Sequence, residues 1–470
     1  MLQRCNPLLL ALLSLILCVP DTQQQQQLNL DALSTFSSAS TLTLPSHNGD
    51  VAISVALCGN PDGSTPRVIF TNSSTRTPTD VNVGTQDVFE ILIDEGVGSW
   101  VGSIGQGGRL AVTNTGQTKY EVGVSTNAGQ PFHQYLGQDG SLFGDSTGNQ
   151  AIFFSPPFES VGFTRPTYPN YTLPSVQMPF SVSQPSSTPQ FALTLVETSS
   201  ISGLLRRSSC ALRATSSKGT VKNQMNWIRD AAEGWRSKWL VEGLTPGTNY
   251  SAFVFQDGTK VSGPLYFTTK SASFNCPLVD GLSYCPGVSW AVPLPAPPNP
   301  DTTYNASNLP TQITDSLQQY IANFTIALTT IACGRSIYSP IQTCADCQRE
   351  YRRWVCAISL PRCGEPRGDE TSLGRGPSLT TALASPTQQP RNQNFPRVKE
   401  GFVELLPCLE TCQATDRACP NHVGFQCPLA KFNADKSYGV GFIDSRDGDK
   451  EGGLTGVSQD VYGNVWCNSG

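Results

Sequence analysis

The sequence predicts an α+β multidomain protein in which two antiparallel β-sandwich-like domains precede a disulfide-rich, mainly helical domain. Short apolar runs separated by Gly, Pro and Asn turns fill roughly the first 270 residues, and this pattern is typical of antiparallel strands. Most of the cysteines follow that stretch. With 42 Gly and 35 Pro among 470 residues, the composition disfavours an all-helical protein, and the length suits about three domains.

Charge and histidine content exclude several functional classes. The chain has 31 basic and 36 acidic residues and a net charge of -5. A general nucleic-acid binder needs a basic face instead. The three histidines, His47, His133 and His422, lie far apart in the sequence. We therefore expect no metal site, no cofactor and no enzymatic activity.

The first 20 residues carry the pattern of a secretory signal peptide. Arg4 precedes an apolar run that ends at Pro20, and polar sequence follows. The run is shorter than the roughly 20 residues that a membrane-spanning helix needs. Cleavage is the favoured interpretation, and retention as a signal anchor is the alternative. We expect passage through the secretory pathway to the extracellular face of the plasma membrane.

The β-rich part divides into a leader and two predicted domains. Residues 21–46 open with a run of glutamines and continue Ser/Thr-rich, which is typical of a flexible leader. Residues 50–145 and 150–270 alternate strand-like runs with turns, and each stretch predicts a β-sandwich. In the second, GLTPGTNYSAFVF looks like a late strand of a fibronectin-type sandwich. Cys58 and Cys210 have no local partners, so we expect a bond between them that links the two stretches.

Residues 276–470 form the predicted cysteine-rich domain. Removing Cys5 and Cys18 with the signal segment leaves 14 of the 16 cysteines, an even number that suits an oxidising compartment. The Cys-x-x-Cys at Cys344 and Cys347 also permits half a zinc site or a redox pair. The other spacings favour structural disulfides, whose pairing the sequence does not reveal. The predicted disulfide cysteines are Cys58, Cys210, Cys276, Cys285, Cys333, Cys344, Cys347, Cys356, Cys363, Cys408, Cys412, Cys419, Cys427 and Cys467.

Two helices and one insertion are predicted in this domain. The first helix begins near Pro310 and carries an apolar stripe at steps of three and four residues: Ile313, Leu317, Tyr320, Phe324, Leu328 and Ile331. The second takes Ser339 as N-cap, has Pro340 at its first position and ends before Pro361. Cys347 and Cys356 lie on different sides of the second helix, so disulfides are expected on both. Residues 364–396 contain few apolar side chains and predict a disordered insertion.

Five Asn-x-Ser/Thr acceptor sequences predict a glycoprotein. They lie at Asn72, Asn170, Asn249, Asn305 and Asn323.

Three motifs resemble one known family. Cys333–Cys363 (CGRSIYSPIQTCADCQREYRRWVCAISLPRC) closely resembles the cysteine-rich core of the fungal stretch-activated calcium-channel component, the Mid family. Cys285–Pro295 and Pro407–Pro428 look like flanking motifs of that family. The cysteine spacing in Pro407–Pro428 also resembles that of frizzled-type domains and of the auxiliary factor of the animal sodium-leak channel. The match covers roughly the last 195 residues.

The resemblance implies an extracellular, glycosylated auxiliary subunit of a large four-repeat, voltage-gated-type calcium channel. It implies support of stress- or stretch-linked calcium influx without forming the pore. Membrane association would then come through the partner. Exposed members of the set Tyr351, Arg352, Trp354 and Arg362 are expected to contact the channel, because interface hot spots favour Trp, Tyr and Arg. For Tyr351 and Trp354, the alternative is a place in the domain core.

Two other functions compete with the channel interpretation. One is a cell-wall or carbohydrate-binding surface glycoprotein that binds through the β-rich fragment. The other is a secreted hydrolase, since Gly144–Gly148 (GDSTG) places Ser146 in a Gly-x-Ser-x-Gly motif. A nucleophile elbow needs a helix directly after the serine, and the strand-like sequence that follows disfavours the enzyme.

Overall fold

A computed structural model describes most of the chain. The described residues are 26–59, 66–79, 83–85, 87–138, 140–160, 184–201, 205–230, 233–331, 338–365, 384, 387–429, 432–439 and 467–469, without the side chains of 329–331 and 435. They form two compact units. The N-terminal unit contains the described residues up to Gln134 together with Leu205–Leu212. The C-terminal unit contains the described residues of Tyr135–Leu204 and of Arg213–Gly470.

The N-terminal unit is built from two β-sheets. One has the strand order β1-β3-β8-β5-β6 and the other β2-β9-β4-β7. Alternating residues of both sheets, such as Val55 of β4 and Phe70 of β5, fill one apolar core, as expected of strands with one buried face. The strands are β1 Gln26–Gln27, β2 Ala32–Phe36, β3 Ser40–Leu44, β4 Asp50–Leu57, β5 Arg67–Thr71, β6 Val88–Ile91, β7 Val97–Ser103, β8 Gly108–Thr113 and β9 Tyr120–Ser125.

The predicted flexible leader at 21–46 is wrong from residue 26 onward. Strands β1, β2 and β3 lie in this segment, and Leu28, Phe36 and Leu42 are buried in the core. The Ser and Thr residues between these apolar side chains suit the solvent-facing positions of strands. Composition alone suggested disorder because it ignores this alternation. Residues 21–25 lie outside the described part.

A short segment from later in the chain completes the N-terminal unit. Cys58, directly after β4, is disulfide-bonded to Cys210 in the helix α1 (Ser209–Arg213). The Ser208 hydroxyl donates a 2.5 Å hydrogen bond to the Leu57 carbonyl. The predicted bond between Cys58 and Cys210 is therefore present in the structure.

The C-terminal unit begins with a second pair of sheets. Their orders are β10-β17-β16-β13 and β11-β12-β15-β14. Phe153 of β12 and Tyr250 of β16 meet in the core between them. The strands are β10 Gln134–Tyr135, which begins at the unit boundary, β11 Leu142–Ser146, β12 Gln150–Phe154, β13 Phe191–Glu197, β14 Thr220–Ile228, β15 Trp235–Glu242, β16 Asn249–Gln256 and β17 Lys260–Thr268.

The second β-rich stretch and the cysteine-rich region share one unit, contrary to the predicted boundary between 270 and 276. Strand β12 is apolar on both faces: Ala151 and Phe153 point into the sandwich, whereas Ile152 and Phe154 pack against Leu278 and its neighbours. A sheet whose two faces are both apolar must be covered on both sides.

Three α-helices lie in the described part of the cysteine-rich region: α2 Thr311–Ile331, α3 Cys344–Ser359 and α4 Leu409–Ala418. Its short strands are β18 Leu278–Val279, β19 Trp290–Ala291, β20 Arg362–Gly364 and β21 Val403–Leu405. Long irregular connections separate these elements. The structure therefore does not show the predicted mainly helical, frizzled-like domain. No described helix is both long enough and apolar enough to cross a bilayer.

The predicted disordered insertion at 364–396 is partly ordered. Thr387 bridges to Phe402 in an antiparallel β-bridge, and Phe395 is buried in the core around Trp290 and α2. Few apolar residues occur here, but the buried Phe395 and hydrogen bonds from the Asn392 and Asn394 side chains to Ser359 and Ser316 hold the end of the segment. Residues 366–383 and 385–386 lie outside the described part.

Candidate interaction surface

Helix α3 is the element that positions the predicted partner residues. It begins after Thr343, whose hydroxyl accepts from the Asp346 N–H while the Asp346 carboxylate accepts from the Thr343 N–H, a capping box. The predicted N-cap at Ser339 is therefore wrong by one helical turn. The Ser339 hydroxyl accepts from the N–H groups of Ile341 and Gln342 in a separate turn. The predicted stop before Pro361 is confirmed, since α3 ends at Ser359.

Disulfides hold α3 on two sides. Cys347 is bonded to Cys419 after α4, and Cys356 is bonded to Cys285. The expected attachment of this helix on two sides is confirmed. The Cys276–Cys363, Cys408–Cys467 and Cys412–Cys427 bonds complete the described pairs. Cys344 is also disulfide-bonded, and Cys333 lies outside the described residues.

A cluster of four half-buried aromatic rings spans α2, α3 and the chain after α4. Phe324 of α2 stacks on Tyr351 of α3 with ring centroids 3.5 Å apart. Trp354 meets Tyr351 at 5.5 Å and Phe425 edge-on at 4.8 Å. Burial, with a smaller contribution from neighbouring Tyr320, raises the pKa of Tyr351. Its phenol therefore stays neutral at physiological pH.

The described residues 425–429 and 432–434 pack on this cluster and leave two large apolar side chains in solvent. Phe425 and Ala434 belong to the same apolar group as Trp354. The Trp354 indole N–H donates to the hydroxyl of Tyr438, which follows the loop, at 2.9 Å. Leu429 and Phe432, which lie between Phe425 and Ala434 in the sequence, are 62% and 72% exposed. We name the surface formed by the exposed Leu429 and Phe432 the 425–434 loop surface.

Sequence reasoning missed Leu429 and Phe432. They follow Cys427 in a segment without helical or strand periodicity, so no pattern marked them as buried or exposed. The only available signal was the presence of large apolar residues in a loop. The Leu429 carbonyl accepts hydrogen bonds from the N–H groups of Phe432 and Ala434. This turn keeps the two apolar side chains on one short piece of chain.

None of the four predicted partner residues is strongly exposed. Tyr351 and Trp354 are half-buried, whereas Arg352 and Arg362 are buried. Burial lowers the pKa of Arg352 to about 10, so it remains charged at neutral pH. Exposure was the condition set for partner contact, and Arg352 and Arg362 do not meet it. Contact through Tyr351 and Trp354 stays a prediction.

Arg362 is instead part of a buried ion pair in the C-terminal unit. Its Nε lies 2.9 Å from Oδ2 of Asp145, and another guanidinium nitrogen donates to the Gly144 carbonyl. The Asp145 carboxylate also accepts from the N–H groups of Ser146 and Ala291. Burial alone would raise the pKa of Asp145, but the charges of Arg362 and Lys270 and these hydrogen bonds outweigh it and lower the pKa.

The predicted glycosylation sites differ in accessibility. Asn249 and Asn323 are exposed, Asn72 and Asn305 are half-buried, and Asn170 lies outside the described residues. Asn249 faces outward as expected, and its side-chain oxygen accepts a hydrogen bond from the Thr268 hydroxyl. Whether sugars are attached stays a prediction.

The residues considered for chemistry are engaged elsewhere. Ser146 is buried at the end of β11, where its hydroxyl donates to the Thr268 carbonyl, and strand β12 follows it. Among the described residues, two groups combine cysteine with an acidic side chain: Cys58, Cys210 and Glu121, and Cys408, Cys467 and Glu410. In both groups the cysteines are joined in a disulfide. Oxidised sulfur lacks the thiolate that binds zinc.

Comparisons with known proteins identify the family. The model of the stretch-activated Ca2+-permeable channel component matches residues 51–456. The stretch-activated cation channel MID1 of Cryptococcus neoformans is 33% identical over 401 residues, which cover 77% of this chain and 64% of the relative. Yam8 of Schizosaccharomyces pombe is 28% identical over 43% of this chain and 41% of its own length. MID1 of Saccharomyces cerevisiae is 32% identical over 40% of this chain and 35% of its own length.

The chain spans less than two thirds of the length of each of these relatives. The family is one of channel components and not an enzyme family. The resemblance seen in the three cysteine-containing motifs is thereby confirmed, and the match extends well into the β-rich part. This chain belongs to the family of stretch-activated Ca2+-permeable channel components.

Proposed function

We propose that this chain is an extracellular, glycosylated auxiliary component of a plasma-membrane calcium channel and supports stress- or stretch-linked calcium influx. The observation that carries the proposal is the family match over residues 51–456 in a chain whose described cysteines are all disulfide-bonded. Disulfides at this density persist in oxidising compartments and not in the cytosol. The signal-like first 20 residues and five acceptor sequences support the same route.

The proposed partner is a large four-repeat channel polypeptide, which supplies the pore and holds this chain at the membrane. The described residues form disulfide-bonded sheets and helices with apolar cores of their own. This construction suits an ectodomain that binds another protein. The role of this chain is then to stabilise or gate the channel from outside and not to conduct ions.

The 425–434 loop surface is the proposed contact with the channel. Leu429 and Phe432 are exposed on a loop held by the Cys412–Cys427 bond and by packing on Trp354. The disulfide and the packing limit the freedom of the residues next to Leu429 and Phe432, and fewer groups to order on binding favours affinity. Aromatic side chains, phenylalanine among them, are enriched in the buried centres of protein interfaces. We expect Phe432 to enter an apolar recess on the extracellular loops of the channel.

Purification of the tagged protein from detergent-solubilised membranes tests the function. Recovery of a stoichiometric four-repeat channel polypeptide is the expected result. The alternative, a cell-wall or carbohydrate-binding glycoprotein, predicts recovery with wall polysaccharide and without any channel. That second result would contradict the auxiliary-component proposal.

A further inference from the structure

The outward face of α2 carries an acceptor asparagine between two exposed apolar side chains. Asn323 is exposed. Tyr320, three residues before it, is 48% exposed, and Ile326, three residues after it, is 59% exposed. Residues three apart on a helix are surface neighbours, with Cβ atoms about 5–6 Å apart. Tyr320, Asn323 and Ile326 therefore form one continuous strip.

The rest of α2 obeys the usual separation of apolar and polar residues. Ile313, Leu317, Ile321 and Leu328 are buried against the core or against α3. Tyr320 was predicted to belong to that buried stripe, and the structure places it outside. Single exposed apolar residues are common on protein surfaces. Here, however, two of them flank one acceptor asparagine on the same strip of the helix.

The acceptor sequence is arranged so that only its asparagine faces outward. Thr325, its third residue, donates its hydroxyl hydrogen to the Ile321 carbonyl and accepts from the Gln348 side chain of α3. These hydrogen bonds turn Thr325 toward the neighbouring helix. A glycan attached to Asn323 would start at the centre of the strip, within reach of both Tyr320 and Ile326.

We propose that Asn323 carries an N-linked glycan whose first N-acetylglucosamine units lie on Tyr320 and Ile326. The C–H groups on one face of a sugar ring can pack on the face of a phenol, as other apolar groups do. The occupant of this helix face is then carbohydrate and not a protein. The inference rests on the proposed secretory route. It also restricts the channel contact to other surfaces, such as the 425–434 loop surface.

Nitration of tyrosines in the full-length secreted protein tests the proposal. Glycopeptide mass spectrometry first measures occupancy of Asn323. The protein is then treated with tetranitromethane before and after enzymatic removal of N-glycans under native conditions, and nitration of each tyrosine is quantified. Native removal needs no refolding, so a folding defect does not obscure the result.

Nitration of Tyr320 should rise about twofold after glycan removal, because a sugar on one face of the ring blocks one of its two faces. Tyr135 is half-buried in another sheet, away from α2, and serves as the control that should not change. An unoccupied Asn323, or an occupied site with unchanged Tyr320 reactivity, would overturn the inference. A protein that reaches the cell surface and binds the channel with bare Asn323 would refute this inference while leaving the proposed function intact.

Discussion

Replacing Arg362 with methionine should destabilise the C-terminal unit while leaving any channel-binding surface unchanged. Arg362 was expected to contact a partner, but the structure pairs it with Asp145 in the interior. Methionine retains much of the length of the side chain and removes its charge. The variant therefore separates a structural role from a binding role.

The size of the effect follows from what remains around Asp145. Breaking a buried ion pair by removing one partner costs about 3–5 kcal/mol, because the other charge stays buried without compensation. Here the carboxylate keeps two backbone N–H donors and Lys270, whose Nζ lies 3.8 Å from Oδ1. These groups continue to stabilise the charge. We therefore expect a loss near the lower limit, about 3 kcal/mol in the free energy of unfolding.

Urea unfolding of the purified, disulfide-intact protein measures this loss. Arg353→Met is the matched control, since the Arg353 side chain is exposed and its Nε donates only to the Ser469 carbonyl. The control should change stability by less than about 0.5 kcal/mol. An Arg362→Met protein of normal stability that no longer recovers the channel would refute the reasoning and restore Arg362 as a contact residue.

Three further predictions concern the framework around the site. Thr343→Ala should cost about 1 kcal/mol because the α3 capping box is lost, whereas Ser339→Ala, which removes only the acceptor of a separate turn, should lower the melting temperature less; equal effects would contradict the assigned helix start. The double replacement Cys285→Ser and Cys356→Ser should cost about 2–5 kcal/mol and reduce secretion, measured as protein recovered from the medium; normal secretion and melting would contradict it. The lowered pKa of Asp145 implies stability that is fully present above its unfolded pKa of 3.8 and is lost as pH falls through the lower folded value. Unfolding titrations below about pH 4 should therefore show a smaller acid dependence for Asp145→Asn than for the native protein, and identical slopes would contradict this assignment.

The sequence predicted secondary structure correctly where it depends on residues close together in the chain. The apolar stripe of α2 and the stop of α3 before Pro361 are such cases. The helix start was misplaced because two serine/threonine turns follow each other, and only the Thr343 turn has an acidic residue at the position that completes a capping box.

Features that depend on distant segments were not predictable from the sequence alone. Asp145 and Arg362 are separated by more than 200 residues, and nothing local marks them as a pair. The sequence after Ser146 was predicted to be strand-like, but it did not reveal that the cysteine-rich region covers the second face of β12. The exposure of Phe432 likewise follows from how its loop packs on Trp354 and not from its neighbours in sequence.

The central proposal is that this chain binds a channel through the 425–434 loop surface. The most direct test compares the channel recovered with native protein and with a variant combining Leu429→Ser and Phe432→Ser. Leu92→Ser is the matched control, because Leu92 is a 77% exposed leucine of the N-terminal unit. Loss of hot-spot contacts of at least about 2 kcal/mol should weaken binding by more than about tenfold, so the double variant should recover little channel and the control a normal amount. Undiminished recovery with the double variant, at normal surface expression, would contradict the account.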